Sequence, residues 1–326
     1  MTSVRWGILA TGGIAEKFTK DLLLTKHVVT AVGSRSSASA ERFAARFGIP
    51  NAYGSYEALV SAPDVDVVYI ATPHPMHAAS ATLALAAGKH VLIEKPFTLN
   101  AAEAQDVVDL ARAKAVVVME AMWTRFLPHM VRIRAIVASG VLGDLRSVIV
   151  DHTQKLSDDP THRINALELG GGALLDLGIY PISFAWDILG EPQSIQSSAS
   201  FKATGADAQV ATLFKYKGGA VATTLSASDS AGPNRATIIG TKGRIEIDAV
   251  WYRPTSFRVY NSDDTVTEMF DQKVPGLGMQ FQADEIERLI MTGSTEGQIL
   301  PPAKTVAIMQ TLDTIRSQIG LRYPGE

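Results

Sequence analysis

Three polar side chains in this sequence have the types and the spacing of a proton-transfer site: Lys95, Asp176 and Tyr180. Lys95 comes just after the apolar run 90–93, a position typical of the end of a buried strand. Asp176 and Tyr180 follow the triple glycine 170–172 and are four residues apart, so they share one face if that segment is helical. Such a set can move a proton while a bound cofactor moves a hydride.

The chemistry of the three groups suggests a role for each. A free tyrosine titrates at about 10, too high for an efficient base at neutral pH, and a nearby ammonium lowers that pKa. We therefore assign Tyr180 as proton donor and acceptor, Lys95 as its electrostatic tuner and substrate-oxygen contact, and Asp176 as the group that orients substrate or lysine. Lys95 and Tyr180 could exchange roles. The structural alternatives are a surface lysine, a salt-bridged carboxylate and a core tyrosine.

A glycine turn near the start of the chain has the pattern of a dinucleotide site. Compared with G-x-G-x-x-G/A, Ala10 stands in the first position, Gly12 in the second and Ala15 in the third. Gly12 would let the backbone approach a pyrophosphate at a helix N-terminus. A structural turn is the alternative. The cofactor contacts expected here come from Thr11, Gly12, Gly13 and Ile14.

The end of the second expected strand indicates which cofactor this turn serves. An NAD site needs an acid there for the ribose 2′-hydroxyl, but this chain has Ser34 and Arg35. Arg35 can form a fork of hydrogen bonds to a 2′-phosphate, which a carboxylate would repel. The sequence therefore favours NADP(H) over NAD(H), with an exposed loop arginine as the alternative.

Further polar residues follow the next strands at the same expected edge of the sheet, where ligands of such sheets bind. We expect cofactor contacts there from Thr72, Pro73, His77, Glu94, Lys95 and Trp123. His74 and His77 could also be read as a metal pair, but edge and packing roles are favoured, and no metal is expected.

Candidate substrate contacts flank the expected catalytic groups. Trp123, Arg125 and Phe126 come directly after the last strand of the first domain, and an aromatic wall with one cation suits a polyol or a cyclic diol. Arg163 and Asn165, just before the glycine run, are candidates for contacts to hydroxyl groups or cofactor. Simple packing is the alternative for all five.

The elements that must position these residues form two domains, as expected for 326 residues. Residues 1–120 alternate apolar strands with helices, which predicts a Rossmann domain with a doubly wound parallel sheet. Residues 121–326 contain a strand at 145–154 and seven more between 194 and 270 with no helix among them. This predicts an α+β domain whose open, mostly antiparallel sheet carries helices on one face.

Composition excludes several classes of protein. Apolar residues make up 46% and charged residues 19% of a chain with net charge −3, which is globular and carries no nucleic-acid footprint. The absence of cysteine suits a reducing cytoplasm and excludes disulfides. The chain enters a strand pattern at once, and no apolar run reaches roughly 18 residues, so we expect neither signal peptide nor membrane helix.

Taken together, these features resemble the Gfo/Idh/MocA oxidoreductase family, and within it the group of dimeric dihydrodiol dehydrogenases and NADP-dependent D-xylose dehydrogenases. The motifs that carry the resemblance extend along the whole chain. They are Trp6-Gly7-Ile8, Ser34-Arg35, residues 71–77, Glu94-Lys95-Pro96, residues 119–126, residues 170–180 and residues 320–326.

The resemblance implies hydride transfer between NADP(H) and a carbinol carbon of an aldose such as xylose, or of a trans-dihydrodiol. It also implies a homodimer through the C-terminal sheet, whose outward residues we expect to include Thr223, Leu225 and Ala227. Trp251 and Phe281 become pocket candidates by resemblance. Tyr180 matches this group, whereas many family members have histidine there. The alternatives are a dinucleotide-dependent glycosidase of the same fold and a non-catalytic NADP-binding sensor.

Overall fold

The computed structural model describes residues 3–326, which divide into two compact units. The first contains the chain through Trp123 and then Pro275–Met309, and the second contains Thr124–Val274 and Gln310–Glu326. The expected boundary at 120 lies close to the first division. However, the sequence assigned everything after it to the second domain, whereas Pro275–Met309 belongs to the first unit.

Side chains of the first strand and the first helix hold that returning segment. The carboxylate of Asp21 accepts hydrogen bonds from the backbone N–H groups of Leu277 and Met279, both at 2.9 Å. The indole Nε1 of Trp6 donates to Glu287 Oε1 at 2.7 Å. These contacts join residues more than 250 positions apart along the chain, which is why local sequence patterns did not reveal them.

Except for α3, the helices lie where apolar periodicity and capping residues predict them. Asn100 caps its helix, because its Oδ1 accepts a hydrogen bond from the N–H of Glu103 at 2.9 Å. The helices are α1 (Gly13–Leu23), α2 (Ser37–Phe47), α3 (Tyr56–Val60), α4 (His77–Ala86), α5 (Ala101–Lys114), α6 (Pro128–Ala138), α7 (Ile179–Leu189), α8 (Gln280–Thr292) and α9 (Pro302–Ile319).

The sheet of the first unit is parallel, with strand order β3-β2-β1-β4-β5-β6. This order confirms the predicted doubly wound Rossmann sheet and brings the carboxyl ends of the strands to one edge. The sequence missed β3 and α3, which are too short to show a periodic pattern. The strands are β1 (Arg5–Leu9), β2 (Val28–Gly33), β3 (Asn51–Tyr53), β4 (Val67–Ile70), β5 (His90–Glu94) and β6 (Val118–Ala121).

The second unit contains an eight-stranded sheet in the order β14-β13-β12-β11-β7-β10-β9-β8. Only the β7–β10 pair among these is parallel, so the predicted open and mostly antiparallel sheet is confirmed. The strands are β7 (Leu145–Thr153), β8 (Ser194–Phe201), β9 (Asp207–Lys215), β10 (Val221–Ala227), β11 (Ala236–Gly240), β12 (Gly243–Ile247), β13 (Phe257–Asn261) and β14 (Val266–Phe270).

The two faces of this sheet differ. In β10, Ala222, Thr224 and Ser226 are buried, whereas Thr223 and Leu225 on the other face are exposed. Ala227 lies on the same face as Thr223 and Leu225 by strand alternation, but it is 1% exposed and so adds nothing to the expected outward apolar patch.

One stretch, Leu167–Leu189, has the length and apolar composition of a membrane-crossing helix. Of its most apolar 18-residue window, 89% is buried inside the protein, as in the core helix of a folded domain.

Candidate active site

The glycine turn before α1 is open on its outer side. Gly12 is the N-cap of α1 and makes no side-chain cap hydrogen bond. A Cβ atom added to Gly12 or Gly13 would meet no other atom within 4 Å, so internal packing does not require glycine at either position. Close approach of the protein backbone to a ligand group such as a pyrophosphate would account for both glycines. The turn therefore fits a dinucleotide, with Thr11 and Ile14 beside these glycines.

The residues that follow β2, Ser34 to Ser36, suit the binding of an anionic group. Arg35 is exposed and lies beside Tyr56, where burial raises the pKa of the phenol and Arg35 opposes that rise. Ser34 Oγ accepts a hydrogen bond from the N–H of Ser36 at 3.4 Å. Residues 34–36 contain no carboxylate, so the loop is electrostatically suited to a phosphate.

His77 connects the loops that follow β4 and β5. Its Nδ1 lies 2.8 Å from the carbonyl oxygen of Pro96, and its Nε2 lies 2.9 Å from that of Thr72. Burial lowers the pKa of His77, the two carbonyls oppose this, and the ammonium of Lys95 lowers it further. The neutral ring can donate to only one of the two oxygens at a time. His77 thus links the backbone at Thr72 to that at Pro96, and its own side chain is fully buried.

Two groups next to His77 complete the carboxyl edge of the parallel sheet. The Oγ1 atom of Thr72 is buried and makes no hydrogen bond to any described residue, so a ligand hydroxyl or amide would satisfy it. Glu94 is also buried, but its carboxylate accepts from the Tyr69 hydroxyl and from the N–H of Lys95 at 3.3 Å. The Glu94 carboxylate therefore helps to position the backbone of Lys95. Glu94 and Lys95 were both expected to contact the cofactor, and the structure brings these two residues together.

In the second unit, Arg163 and Asp176 form a paired contact. The two guanidinium Nη atoms lie 3.2 and 3.1 Å from the two carboxylate oxygens. Asp176 raises the pKa of Arg163, and Tyr180 acts in the same direction, so the three groups share one local field. Asp176 lies in a single π-helical turn, Leu174–Gly178, that runs into α7. Such turns are frequent at functional sites.

Tyr180 is enclosed by groups that the sequence did not single out. Its ring meets that of His152 edge-on at a centroid distance of 4.9 Å, and His152 stacks on Tyr252 at 3.8 Å. The Nε2 of Gln154 lies 2.8 Å from His152 Nε2 and donates to the Tyr252 hydroxyl at 3.3 Å. We call this set the Tyr180 cluster: His152, Gln154, Arg163, Asp176, Tyr180 and Tyr252.

A weak signal for two of these residues was present in the sequence. His152 and Gln154 stand two apart at the end of an expected strand, and side chains with that spacing lie on one face. Tyr252 lies in the loop after β12, and no local sequence pattern predicts its contact with His152. That contact depends on the pairing of β12 with β11 and of β11 with β7, the strand that carries His152.

Other expected substrate residues are engaged inside their own unit. The guanidinium of Arg125 is 2% exposed and bonds Asp187 at 3.0 Å and the Ser183 hydroxyl at 2.8 Å. Asn165 donates to two backbone carbonyls and accepts from Lys202 at 2.5 Å. Trp251 is fully buried and donates to the carbonyl of Asp151 at 2.7 Å. These contacts favour the packing alternative for Arg125, Asn165 and Trp251.

The remaining aromatic candidates divide between the units. Trp123 and Phe126 are buried, and Phe281 in α8 is partly exposed. For metal binding, the part of the chain from residue 3 onward contains no group of three or more His, Asp or Glu side chains that could hold an ion. The rings of His74 and His77 instead meet edge-on, with centroids 5.7 Å apart.

Comparisons with known proteins agree with this architecture. Residues 4–122 match the model of an oxidoreductase family with an NAD-binding Rossmann fold, GFO_IDH_MocA. Residues 130–246 match the GFO/IDH/MocA C-terminal domain.

Curated relatives match over nearly the full length. A trans-1,2-dihydrobenzene-1,2-diol dehydrogenase of Mus musculus is 38% identical and aligns over 99% of this chain and 98% of its own. The D-xylose 1-dehydrogenase (NADP(+)) of Hypocrea jecorina is 36% identical, over 99% and 93% of the two chains.

Among solved structures, a 3-ketoreductase from Actinomadura kijaniata in complex with NADP and TDP-benzene superposes with a TM-score of 0.87. It is 26% identical and covers 98% of each chain. The resemblance drawn from the motifs is confirmed, and the chain belongs to the Gfo/Idh/MocA family of oxidoreductases.

Proposed function

We propose that this protein is an NADP(H)-dependent oxidoreductase acting on a carbinol carbon of an aldose such as xylose or of a trans-dihydrodiol. The observation that carries the proposal is the Tyr180 phenol, packed against His152 beside the Arg163–Asp176 pair. A phenol held next to an ion pair is suited to proton transfer to and from a substrate hydroxyl. The names of the relatives from Mus musculus and Hypocrea jecorina support the choice of diol or sugar.

The cofactor contacts follow from the first unit. Bound NADP(H) supplies the hydride chemistry. The open turn at Gly12 and Gly13, with Thr11 and Ile14, would hold the pyrophosphate, and Ser34 with Arg35 would hold the 2′-phosphate. We propose that the unsatisfied Thr72 hydroxyl, with Pro73 beside it, contacts the part of the cofactor beyond these phosphates.

The proton is assigned to Tyr180, which takes it from the substrate hydroxyl in oxidation and returns it in reduction. We propose that Lys95 contacts the substrate oxygen and favours the phenolate, and that Asp176 holds Arg163 toward the substrate. Trp123, Phe126, Arg163 and Phe281 stay as proposed substrate or cofactor contacts. Arg125, Asn165 and Trp251 are proposed to support these residues by packing.

One assay tests the proposal. Purified protein is given NADP⁺ and a panel of aldoses, inositols and trans-dihydrodiols, and the absorbance of reduced nicotinamide is followed. We expect a steady rise with at least one aldose or dihydrodiol. The matched control is Tyr180→Phe, which should bind NADP⁺ and give almost no rise. Cleavage of a glycoside without net reduction of NADP⁺ would contradict the proposal in favour of a glycosidase.

We also propose that the protein is a homodimer that pairs through the outward face of the eight-stranded sheet. Ile149 and Leu225 on this face are 52% and 39% exposed, and Ile149 lies directly beside Thr223. Exposed aliphatic side chains on the flat face of a sheet favour a second copy, because C₂ pairing covers the same patch on both.

Without cysteine, the chain suits the reducing cytoplasm, where we propose that it works.

Light scattering tests the assembly, and a mass near twice 34.9 kDa is expected. The double variant Ile149→Lys, Leu225→Lys should reduce that mass to one chain. Val131→Lys, a change at a similarly exposed residue of α6, should leave it unchanged. A single-chain mass for the wild type would overturn the dimer.

A further inference from the structure

A buried carboxylate lies behind the triple glycine that precedes the Tyr180 helix. Asp207, the first residue of β9, is 0% exposed, and its Oδ2 accepts a hydrogen bond from the N–H of Leu174 at 2.6 Å. A Cβ atom added to Gly172 would lie 1.9 Å from Asp207 Oδ1. The carboxylate thus occupies the space that a side chain at position 172 would need. This close approach explains the glycine, whose φ is also +126°.

The helical residues 174–189 depend on this carboxylate for their first hydrogen bond. The opening N–H groups of a helix have no partners within it. Here the preceding residues, three glycines and Ala173, offer no polar side chain, and no side-chain cap is formed locally. A strand remote in sequence supplies the acceptor instead. Asp176 and Tyr180 follow two and six positions after the amide that it holds.

A second contact, from a residue still later in the sequence, holds the same loop. The hydroxyl of Tyr323 donates to the carbonyl oxygen of Gly171 at 3.0 Å. The guanidinium of Arg316 lies 4.7 Å from the centre of the Tyr323 ring and also bonds Glu326. The loop is therefore fixed by β9 and by the C-terminal residues, with Asp207 making the shorter contact.

We propose that Asp207 is a positioning residue, whose carboxyl oxygen fixes the start of the helical segment and thereby the placement of Asp176 and Tyr180. This inference rests on the proposed function for its effect on turnover. A group that misplaces reacting atoms by even about 1 Å can cost about a hundredfold in rate. The role needs one acceptor oxygen and not a negative charge.

The electrostatics of the site agree with that distinction. Burial raises the pKa of Asp207 to about 6, while the amides of Leu174, Asp207 and Ala173 and the ammonium of Lys202 oppose the rise. The phenol of Tyr323 faces the same space, and its own pKa is raised by burial and by Asp207. Because the folded-state pKa of Asp207 is above the ordinary value, its contribution to stability is greatest at low pH. That contribution is lost as the pH rises through about 6.

Two substitutions separate the acceptor from the charge. Asp207→Ala removes the acceptor and should lower kcat about 10- to 100-fold, with KM for NADP⁺ unchanged. Asp207→Asn keeps one acceptor oxygen without a buried charge. It should restore kcat to near the wild-type value and raise Tm at neutral pH. The stability difference between wild type and Asp207→Asn should shrink as the pH falls below about 6.

The matched control is Asn261→Ala. The Oδ1 atom of Asn261 likewise accepts backbone N–H groups, from Thr265 at 3.0 Å and from Asp263 at 3.3 Å, in the turn between β13 and β14. This turn carries no residue proposed for the site, so the change should lower Tm and leave kcat alone. Tyr323→Phe should lower kcat in the same direction as Asp207→Ala, but less.

Hydrogen–deuterium exchange gives an answer that needs no substrate. Amides in residues 170–178 should exchange faster in Asp207→Ala and at the wild-type rate in Asp207→Asn. If no substrate is turned over, the proposed function fails while this measurement still tests the positioning. Wild-type kcat and wild-type exchange in Asp207→Ala would overturn the inference. If Asp207→Ala does not fold, loss of kcat in Asp207→Asn with Tm retained would also overturn it, because the charge would then be needed.

Discussion

The carboxyl edge of the parallel sheet and the Tyr180 cluster are built from different kinds of groups. At the edge, the available groups are backbone amides of an open glycine turn, one unsatisfied hydroxyl on Thr72 and one exposed cation, Arg35. In the Tyr180 cluster, the groups are side chains packed on each other, with Asp176 paired to Arg163 and His152 stacked on Tyr252.

This difference predicts that substitutions in the two regions have different effects, on ligand binding in one and on reactivity in the other. A site made of backbone groups and an exposed cation contributes affinity, and a substitution there changes which ligand binds. A site made of mutually supporting side chains contributes reactivity, since each member sets the position and charge of the next. We therefore expect changes in the first unit to move binding constants and changes in the Tyr180 cluster to move turnover, with Lys95 as the exception.

The largest expected effect tests that exception. Tyr180→Phe and Lys95→Met should each lower kcat by roughly 10²–10⁴-fold, the usual contribution of positioned acid–base catalysis. If Lys95 tunes Tyr180 as proposed, the double variant should lose much less than the product of the single losses. Steady-state kinetics and NADP⁺ titration measure both, and NADP⁺ affinity should stay near wild type in Tyr180→Phe. Near-native turnover by Tyr180→Phe would mean that Lys95, and not Tyr180, transfers the proton.

The next effect is on stability and belongs to the first unit alone. His27 Nδ1 lies 2.7 Å from Glu287, and its Nε2 lies 3.2 Å from Asp284. Burial lowers the pKa of His27, but hydrogen bonds to Asp284 and Glu287 outweigh it and raise the pKa to about 9. Stabilisation by up to about 3 kcal/mol should be complete below about pH 6.5 and disappear as the pH rises through about 9.

Denaturant unfolding across that pH range measures this loss. His27→Gln should be less stable at neutral pH and should lack the alkaline decrease. A wild-type stability that stays constant up to and beyond pH 9 would show that the imidazole is not charged in the folded protein.

Cofactor preference is the third test of the comparison. Removing a charge-assisted phosphate contact costs on the order of 1.5–3 kcal/mol, so Arg35→Ala should weaken NADP⁺ binding about ten- to a hundredfold. NAD⁺ binding should hardly change. Arg42→Ala, another exposed arginine, bonded to Ser39, serves as the matched control in a fluorescence titration. An equal loss for both cofactors would refute the phosphate contact.

The smallest effect concerns Ala10, which stands in a position usual for glycine. Its φ is +82°, in the left-handed region, where an alanine costs roughly 1–2 kcal/mol. Ala10→Gly relieves this strain but loses chain entropy, so we expect a net gain of about 0.5–1 kcal/mol in unfolding free energy. Thermal unfolding measures the gain, and NADP⁺ affinity should not fall. A lower Tm would mean that the strain is absent.

Local motifs were sufficient to predict the carboxyl edge. Gly12 follows β1 and Arg35 follows β2, so strand order alone is enough to bring them to one edge. The β3 and α3 elements were missed because three and five residues carry no detectable period. The fold class was still predictable, since it depends on the long apolar strands.

The Tyr180 cluster was predictable only in part, because its members meet through sheet register. His152 reaches Tyr180 from β7, and Tyr252 reaches it from a loop after β12, a relation no local pattern encodes. Arg125 shows the converse: an arginine beside aromatic residues resembles a ligand contact until its buried partner Asp187 is known. Asp207 and Pro275–Met309 were missed for the same reason, since each acts on residues far away in the chain.

The return of Pro275–Met309 to the first unit has a consequence for synthesis on the ribosome. Asp21, His27 and Trp6 emerge early, but their partners in residues 277–287 are made only after the whole stretch Thr124–Val274. Until residues 277–287 are synthesised, the Asp21 carboxylate and the Trp6 indole lack the partners that cover them in the folded protein. The eight strands of the second unit are synthesised during this interval. Nascent chains stalled before Pro275 should expose this surface to chaperones, and those released after Met309 should not.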